Sequence, residues 1–250
     1  MTLEKGENRV IQPLAWDTDY FGISCGRVIL NAETTEEKLQ QLVLELDNFA
    51  FVTLQNVGNC PDINRFIAQN TQAYLADVNI QFKKECTASA LSGIKYPVVQ
   101  AALLSESVSR QLTVDRSDFI YSKFVCDPEM DKRMGYKVYE KWLYNARFSE
   151  NKYFIYCMDG DTVAAYILFS IQGRELTIEL VKVNTAYRGS HLASALMEAL
   201  EGYAMSKECR VMHVGTQLNN IPAINLYHHL GFKDISRTSV YHSWNQSQCV

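Results

Sequence analysis

Between residues 153 and 183 three short apolar-rich runs, 153–157, 162–171 and 176–183, read as strands. Asp159-Gly160-Asp161 and Gln172-Gly173-Arg174 separate the runs with turn composition, so the pattern predicts a three-strand meander. The period then changes. Leu192, Leu196, Ala199, Leu200 and Tyr203 recur at helical spacing and predict a long amphipathic helix. A strand at 211–214, a helix at 220–230 and a strand at 232–242 complete this half, and 245–250 reads as a frayed end. Upstream, 14–22 is aromatic-rich and reads as a turn before a strand at 27–30. Thr34 or Thr35, then Glu36, Glu37 and the Leu39/Leu42/Val43/Leu46 stripe, predict a capped helix. A strand at 51–54, a helix at 64–72 and a strand at 73–83 follow. The polar stretch 103–115 reads as a linker, 119–125 alternates as a strand, and Val138, Trp142 and Ala146 predict a helix over 136–148.

The fold class expected from this order is α/β (α+β). A small N-terminal α/β domain is expected over 1–112 and a second domain over 113–250. Hydrophobic content of 47% and charged content of 21% fit an ordinary globular protein. A net charge of −4 argues against general affinity for nucleic acid. There is no run of about eighteen apolar residues, so no membrane partner is expected. The polar start, 1–9, lacks the apolar segment of a signal peptide. Seven scattered cysteines without Cys-x-x-Cys read as reduced thiols in a cytoplasmic protein, and no ligand cluster calls for a metal.

Two runs near the C-terminus carry the chemistry. In the first, the strand ending at Val183 passes through Asn184-Thr185-Ala186-Tyr187-Arg188-Gly189-Ser190-His191 into the long helix that begins near Leu192 and Ala193. A helix start aims unpaired N–H groups and the positive end of its dipole outward, which suits a phosphate-bearing ligand. In the second, Asn220, Ala223 and Tyr227 are three and four residues apart and share one helical face. That face presents an amide and a phenol to one ligand.

The two runs together resemble the GCN5-related N-acetyltransferases (GNAT), whose cofactor loop is Gln/Arg-x-x-Gly-x-Gly/Ala. Arg188 opens that loop and Ala193 closes it, while His191 stands where the central glycine is expected. Asn220-x-x-Ala223-x-x-Leu226-Tyr227 followed by Gly231-Phe232 matches the family's second acetyl-CoA segment throughout. The resemblance implies, for 113–250, a mixed, mostly antiparallel sheet flanked by helices and split near its middle, and acetyl-CoA as cosubstrate. Its amide arm would lie against the backbone of the 176–183 strand (Leu180, Val181, Val183), and its pyrophosphate against Arg188, Gly189, Ser190, His191, Leu192, Ala193 and Ser194. Asn220 would bond the arm and Tyr227 would protonate the departing thiolate; N-cap and core tyrosine are the plain alternatives. The Trp16-Asp17-x-x-Tyr20-Phe21-Gly22 opening, residues 75–82, Gly215-Thr216-Gln217 and Tyr241/Trp244 resemble the branch that acetylates dTDP-linked 4-amino-deoxy sugars. On that resemblance the partner is a nucleotide-linked amino sugar, and a homodimer is allowed. Asp77 is the expected base, supplied by the N-terminal domain, with a solvated strand residue as its plain alternative. Glu179 is a second choice, placed by strict alternation on the face of Val181 and Val183. Asp127-Pro128 shapes either a substrate pocket or a turn.

Overall fold

The computed structural model describes residues 9–87 and 95–248. The remaining residues, including the start read for a leader and the last two of the frayed end, lie outside it. The chain divides into two compact units: one runs to Asn79 and resumes at Ser236, the other is Ile80–Ile235. This replaces the expected boundary at 112/113. The composition of 103–115 suggested a linker, but Leu112 and Val114 are buried in the second unit's core.

In the first unit, β1 (Gln12–Pro13), α1 (Ala15–Phe21), β2 (Cys25–Leu30), α2 (Glu36–Leu46), β3 (Phe51–Val57), α3 (Pro61–Asn70) and the first half of β4 (Tyr74–Glu85) follow in order. β2 lies antiparallel to β1 and parallel to β3, while the last residues of the chain's final strand pair antiparallel with β3. The core packs Val28, Leu30, Val52 and Leu54 of the strands against Leu42 of α2 and Ile63 and Ile67 of α3. Thr35 caps α2 by accepting from Lys38 N at 3.3 Å. Glu45, at the far end of α2, accepts from the N–H groups of Val10 and Ile11. Residues 14–22, expected as a turn, form α1 instead. Trp16 and Tyr20 stack one helical turn apart at 5.1 Å, and Gly22 ends the helix at φ +69°.

The second unit adds β5 (Val98–Gln100), α4 (Glu106–Gln111), α5 (Lys123–Cys126), α6 (Pro128–Lys132) and α7 (Val138–Ala146). Then come β6 (Lys152–Asp159), β7 (Thr162–Gln172), β8 (Glu175–Val183), α8 (Leu192–Ser206), β9 (Val211–Gln217), α9 (Ile221–His229) and the first residues of β10 (Lys233–Trp244), a strand that from Ser236 belongs to the first unit. Strand order from the second half of β4 is β4-β9-β8-β7-β6-β5, antiparallel among β5 to β8 and parallel between β8 and β9. The fold class is therefore the expected one, and the β6-β7-β8 meander is present. One face of these strands packs α8 and α9, the other α4 and α7. Two local expectations fail here. The stretch 103–115 contains α4, capped by Ser105. Residues 119–125 form a 3₁₀ turn and α5, not a strand, because Phe119 stacks on Tyr139 of α7 at 3.6 Å and Ser122 caps α5. Tertiary packing overrides the alternation. Asp127 caps α6 by accepting from Glu129 N and Met130 N, which favours the turn reading of Asp127-Pro128. No helix among the described residues is long and apolar enough to cross a membrane.

Candidate functional site

The site begins with one extra residue in β8. Leu168 of β7 pairs with Leu180, but the next residue, Phe169, pairs with Ile178, so Glu179 is a bulge. A bulge bends its strand away from the regular ladder. Parallel pairing of β8 with β9 accordingly ends at Ile178↔Val214, while β8 continues beside β7 as far as Val183. The two strands split there. The backbone edge of Leu180 to Val183 is left facing the gap, where an extended chain of amides can pair as an added strand.

The bulge also changes which side chains face which layer. Leu176 and Ile178 lie in the core beneath α8, Val181 and Val183 pack on that same core, and Leu180 belongs to the core beneath α7. Glu179 does not share the face of Val181 and Val183, as strict alternation suggested. Its Oε2 accepts from Lys152 Nζ at 2.6 Å and from Trp142 Nε1 of α7 at 3.1 Å.

Beyond the split, the turn from β8 into α8 is held at several points. Asn184 N bonds the Ala164 carbonyl at 2.9 Å, and the Tyr187 hydroxyl donates to Asp159 Oδ2 at 2.9 Å. The Ser190 hydroxyl donates to the Tyr187 carbonyl. Gly189 and His191 both adopt left-handed backbone, φ +79° and +59°. That conformation explains why glycine suits the position His191 fills. α8 starts with no side-chain cap, where α2, α4 and α9 each have one, and with no acidic residue in its first turn, where α2 and α4 do. Its first N–H groups are thus available to an anion. A cleft of about 240 Å³ lies against this turn, lined by Val183, Tyr187, Arg188, Gly189, His191, Leu192 and Ala193. Ser194 follows in the first turn of α8.

Arg188 is half exposed and tied at two points, Nε to the Val183 carbonyl at 3.3 Å and Nη2 to Asp118 Oδ1 at 3.1 Å. Asp118 and its second partner Lys182 escaped the sequence reading. A lysine at a buried phase of an apolar strand was the available signal, since such a charge needs a partner.

On the other lip of the split, Asn220 caps α9: its Oδ1 accepts from Ala223 N at 3.3 Å. Its Nδ2 donates to Thr216 Oγ1 at 3.0 Å, so the Gly215-Thr216-Gln217 run at the end of β9 anchors the cap. Tyr227, one face down α9, is only 5% exposed and shares a core with Ile178 and Val214, with Val181 and Val183 packed against it. Its ring meets Phe82 at 5.4 Å and Phe232 at 6.0 Å. Burial pushes its pKa above the ordinary phenol value, so the hydroxyl holds its proton at neutral pH. The structure thus brings Leu180, Val181, Val183, the Arg188–Ser194 turn, Asn220 and Tyr227 into one unit. Asp77 stands half-buried on β4 in the other unit.

Residues 117–232 match the acetyltransferase (GNAT) family. Over this segment the chain is similar to the GNAT acetyltransferases. The segment spans the split strands, the α8 turn and the α9 face just described. Among curated proteins the chain is similar to the spore coat polysaccharide biosynthesis protein SpsD of Bacillus subtilis (strain 168), 25% identical over 129 residues, covering 52% of this chain and 45% of SpsD. It is also similar to streptothricin acetyltransferase of Escherichia coli, 33% identical over 75 residues, covering 30% of this chain and 43% of that enzyme. The chain spans about half the length of the curated relatives it matches. A functionally unknown conserved protein of Staphylococcus epidermidis ATCC 12228 shares the fold at a TM-score of 0.62 and 9% identity, over 97% of this chain and 94% of its own. A tandem GNAT protein from the clavulanic acid biosynthesis pathway does so at 0.57 and 13%, over 89% and 77%. The shared fold therefore extends beyond the matched segment to nearly the whole chain.

Proposed function

We propose that the protein transfers an acetyl group from acetyl-CoA to the 4-amino group of a nucleotide-linked amino-deoxy sugar of the dTDP type, in the cytoplasm and without a covalent enzyme intermediate. The observation that carries the reading is the split between β8 and β9, with the uncapped start of α8 at one end and the buried Tyr227 beside it. These residues fit the cosubstrate. The free edge of Leu180 to Val183 suits its amide arm, and Asn220 stands across the split. The N–H groups from Gly189 to Ser194, with Arg188, suit its pyrophosphate. When bound, acetyl-CoA supplies the thioester carbonyl and a thiol leaving group. The sugar amine attacks that carbonyl, the carbon–sulfur bond breaks, and Tyr227 gives its proton to the sulfur. Asp77 takes the proton lost by the amine, and Glu179 is the alternative base. The similarity to SpsD, a polysaccharide biosynthesis protein, supports a sugar acceptor.

A second reading, transfer to an amine of an antibiotic or another small molecule, is favoured by the local similarity to streptothricin acetyltransferase. Mass spectrometry of reactions with acetyl-CoA and a panel of dTDP- and UDP-linked amino sugars, alongside polyamines and streptothricin, separates the two. The expected result is an acetyl-sized gain on a 4-amino sugar nucleotide. Gain only on another amine overturns the sugar assignment.

A further inference from the structure

Asp118 lies at the end of the 3₁₀ turn Arg116–Phe119, fixed there by accepting from Asp115 N at 2.9 Å. Its Oδ2 is 2.7 Å from Lys182 Nζ and its Oδ1 3.1 Å from Arg188 Nη2. The Asp118 and Lys182 side chains are 7% and 8% exposed, against 50% for Arg188. Lys182 Nζ also donates to the Thr113 carbonyl at 2.9 Å, which takes a second bond from the Tyr166 hydroxyl at 2.8 Å. The pair is therefore held from both ends by fixed groups. A buried ion pair carries a desolvation cost that its attraction often only offsets, so stability is a poor reason for this one.

We infer that the Asp118–Lys182 pair is a positioning device that aims Arg188 at the cofactor's pyrophosphate; this rests on the acetyl-CoA reading of the loop. A guanidinium has five N–H groups in one plane. The Val183 carbonyl and Asp118 engage two of them, which fixes the plane and leaves three for a ligand. A long exposed side chain ordinarily loses its rotamer freedom when it grips a phosphate. Arg188 has lost it already, so the ligand meets a pre-aimed fork. Alone, the Asp118 carboxylate would repel phosphate. Lys182 cancels its charge, so the aim is set without a net negative charge beside the cleft. Asp115 is the other acid near Lys182 and Arg188. It is exposed to solvent, and the Ser117 hydroxyl holds its carboxyl below the usual range, with both cations adding to the effect.

The test uses the neutral double variant Asp118→Asn/Lys182→Met, because removing one partner alone strands a buried charge. Tyr166 remains to satisfy the Thr113 carbonyl. The dissociation constant of CoA is measured by calorimetry and that of S-acetylpantetheine, which lacks the pyrophosphate, by NMR titration. The expected result is about a tenfold loss for CoA, equal to about 1.4 kcal/mol, and none for S-acetylpantetheine. In an Arg188→Met background the double variant adds no further loss. Equal losses for both ligands, or additive losses with Arg188→Met, overturn the proposal. If Arg188→Met weakens CoA while the double variant leaves it unchanged, this proposal alone falls. If Arg188→Met itself leaves CoA binding unchanged, the loop reading falls and takes the proposal with it.

Discussion

Tyr227→Phe removes a single oxygen from a ring packed 5.4 Å from Phe82 and 6.0 Å from Phe232. Those ring contacts survive the change, so folding stability should move by no more than about 1 kcal/mol. Turnover is another matter. At unperturbed values the phenol, near 10, is about 1.5 units less acidic than a thiol near 8.5, a mismatch of about 2 kcal/mol. Burial, the cause acting on Tyr227, widens that gap from the tyrosine side. A thiolate leaving into the same dry split is desolvated too, and its pKa moves in the same direction, which narrows the gap again. General acids typically contribute about 10²- to 10⁴-fold. With a residual mismatch the low end applies, about a hundredfold in kcat, equal to about 2.7 kcal/mol of barrier.

The same raised pKa keeps the donor protonated, so the tyrosine-dependent rate should not fall as pH rises from 7 to about 9. Initial rates are best followed by product mass, since seven cysteines would contaminate a thiol dye. Acetyl-CoA affinity, measured by calorimetry, should stay within about twofold. A kcat within twofold of the parent would remove Tyr227 from the chemistry. A loss of kcat matched by a loss of affinity, or by a collapsed melting transition, would make it a packing residue.

Three further outcomes follow from the same geometry. Asn220→Ala deletes the cap on Ala223 N and the bond to Thr216; it should cost about 1 kcal/mol and lower Tm by about 2–4 °C, and an unchanged melt would deny the cap its role. His191→Gly releases a left-handed backbone strain of about 1–2 kcal/mol, partly offset by glycine's greater freedom when unfolded. Stability should rise by about 0.5 kcal/mol with CoA affinity intact, whereas a tenfold weaker affinity would show that the imidazole itself holds the ligand. The third concerns pH. Burial tends to raise the Glu45 pKa, but bonds from Ile11 N, Gln41 and Val10 N outweigh it, so the folded value lies below 4.5. A depressed acid contributes its stability above the unfolded value and loses it as pH falls through the folded one. Acid titration of stability should therefore steepen below pH 4.5 in the parent and flatten in Glu45→Gln; identical slopes would contradict the assignment.

Apolar runs bounded by turn residues located the β6-β7-β8 meander, whose middle strand is buried on both faces, and the helical stripe located α8, with β9 and α9 following in order. The same logic misread 119–125, where alternation came from Phe119 and Phe124 packing on Tyr139 rather than from a strand. It also misread 103–115, whose few apolar residues are enough to bury a short capped helix. Motif spacing located the α8 turn and the Asn220–Tyr227 face. It also marked His191 as the unusual residue, which the left-handed backbone now explains in physical terms.

The sequence by itself determined most of the element order, the family resemblance and the candidate site residues, since these depend on local period and local spacing. Tertiary structure alone decided the rest. A bulge at Glu179 is a matter of register against a neighbouring strand, and it reverses the phase of every residue after it. The meeting of Asp118, Lys182 and Arg188 joins residues 70 positions apart. No local pattern records such a contact, because it exists only once the sheet has brought its strands together.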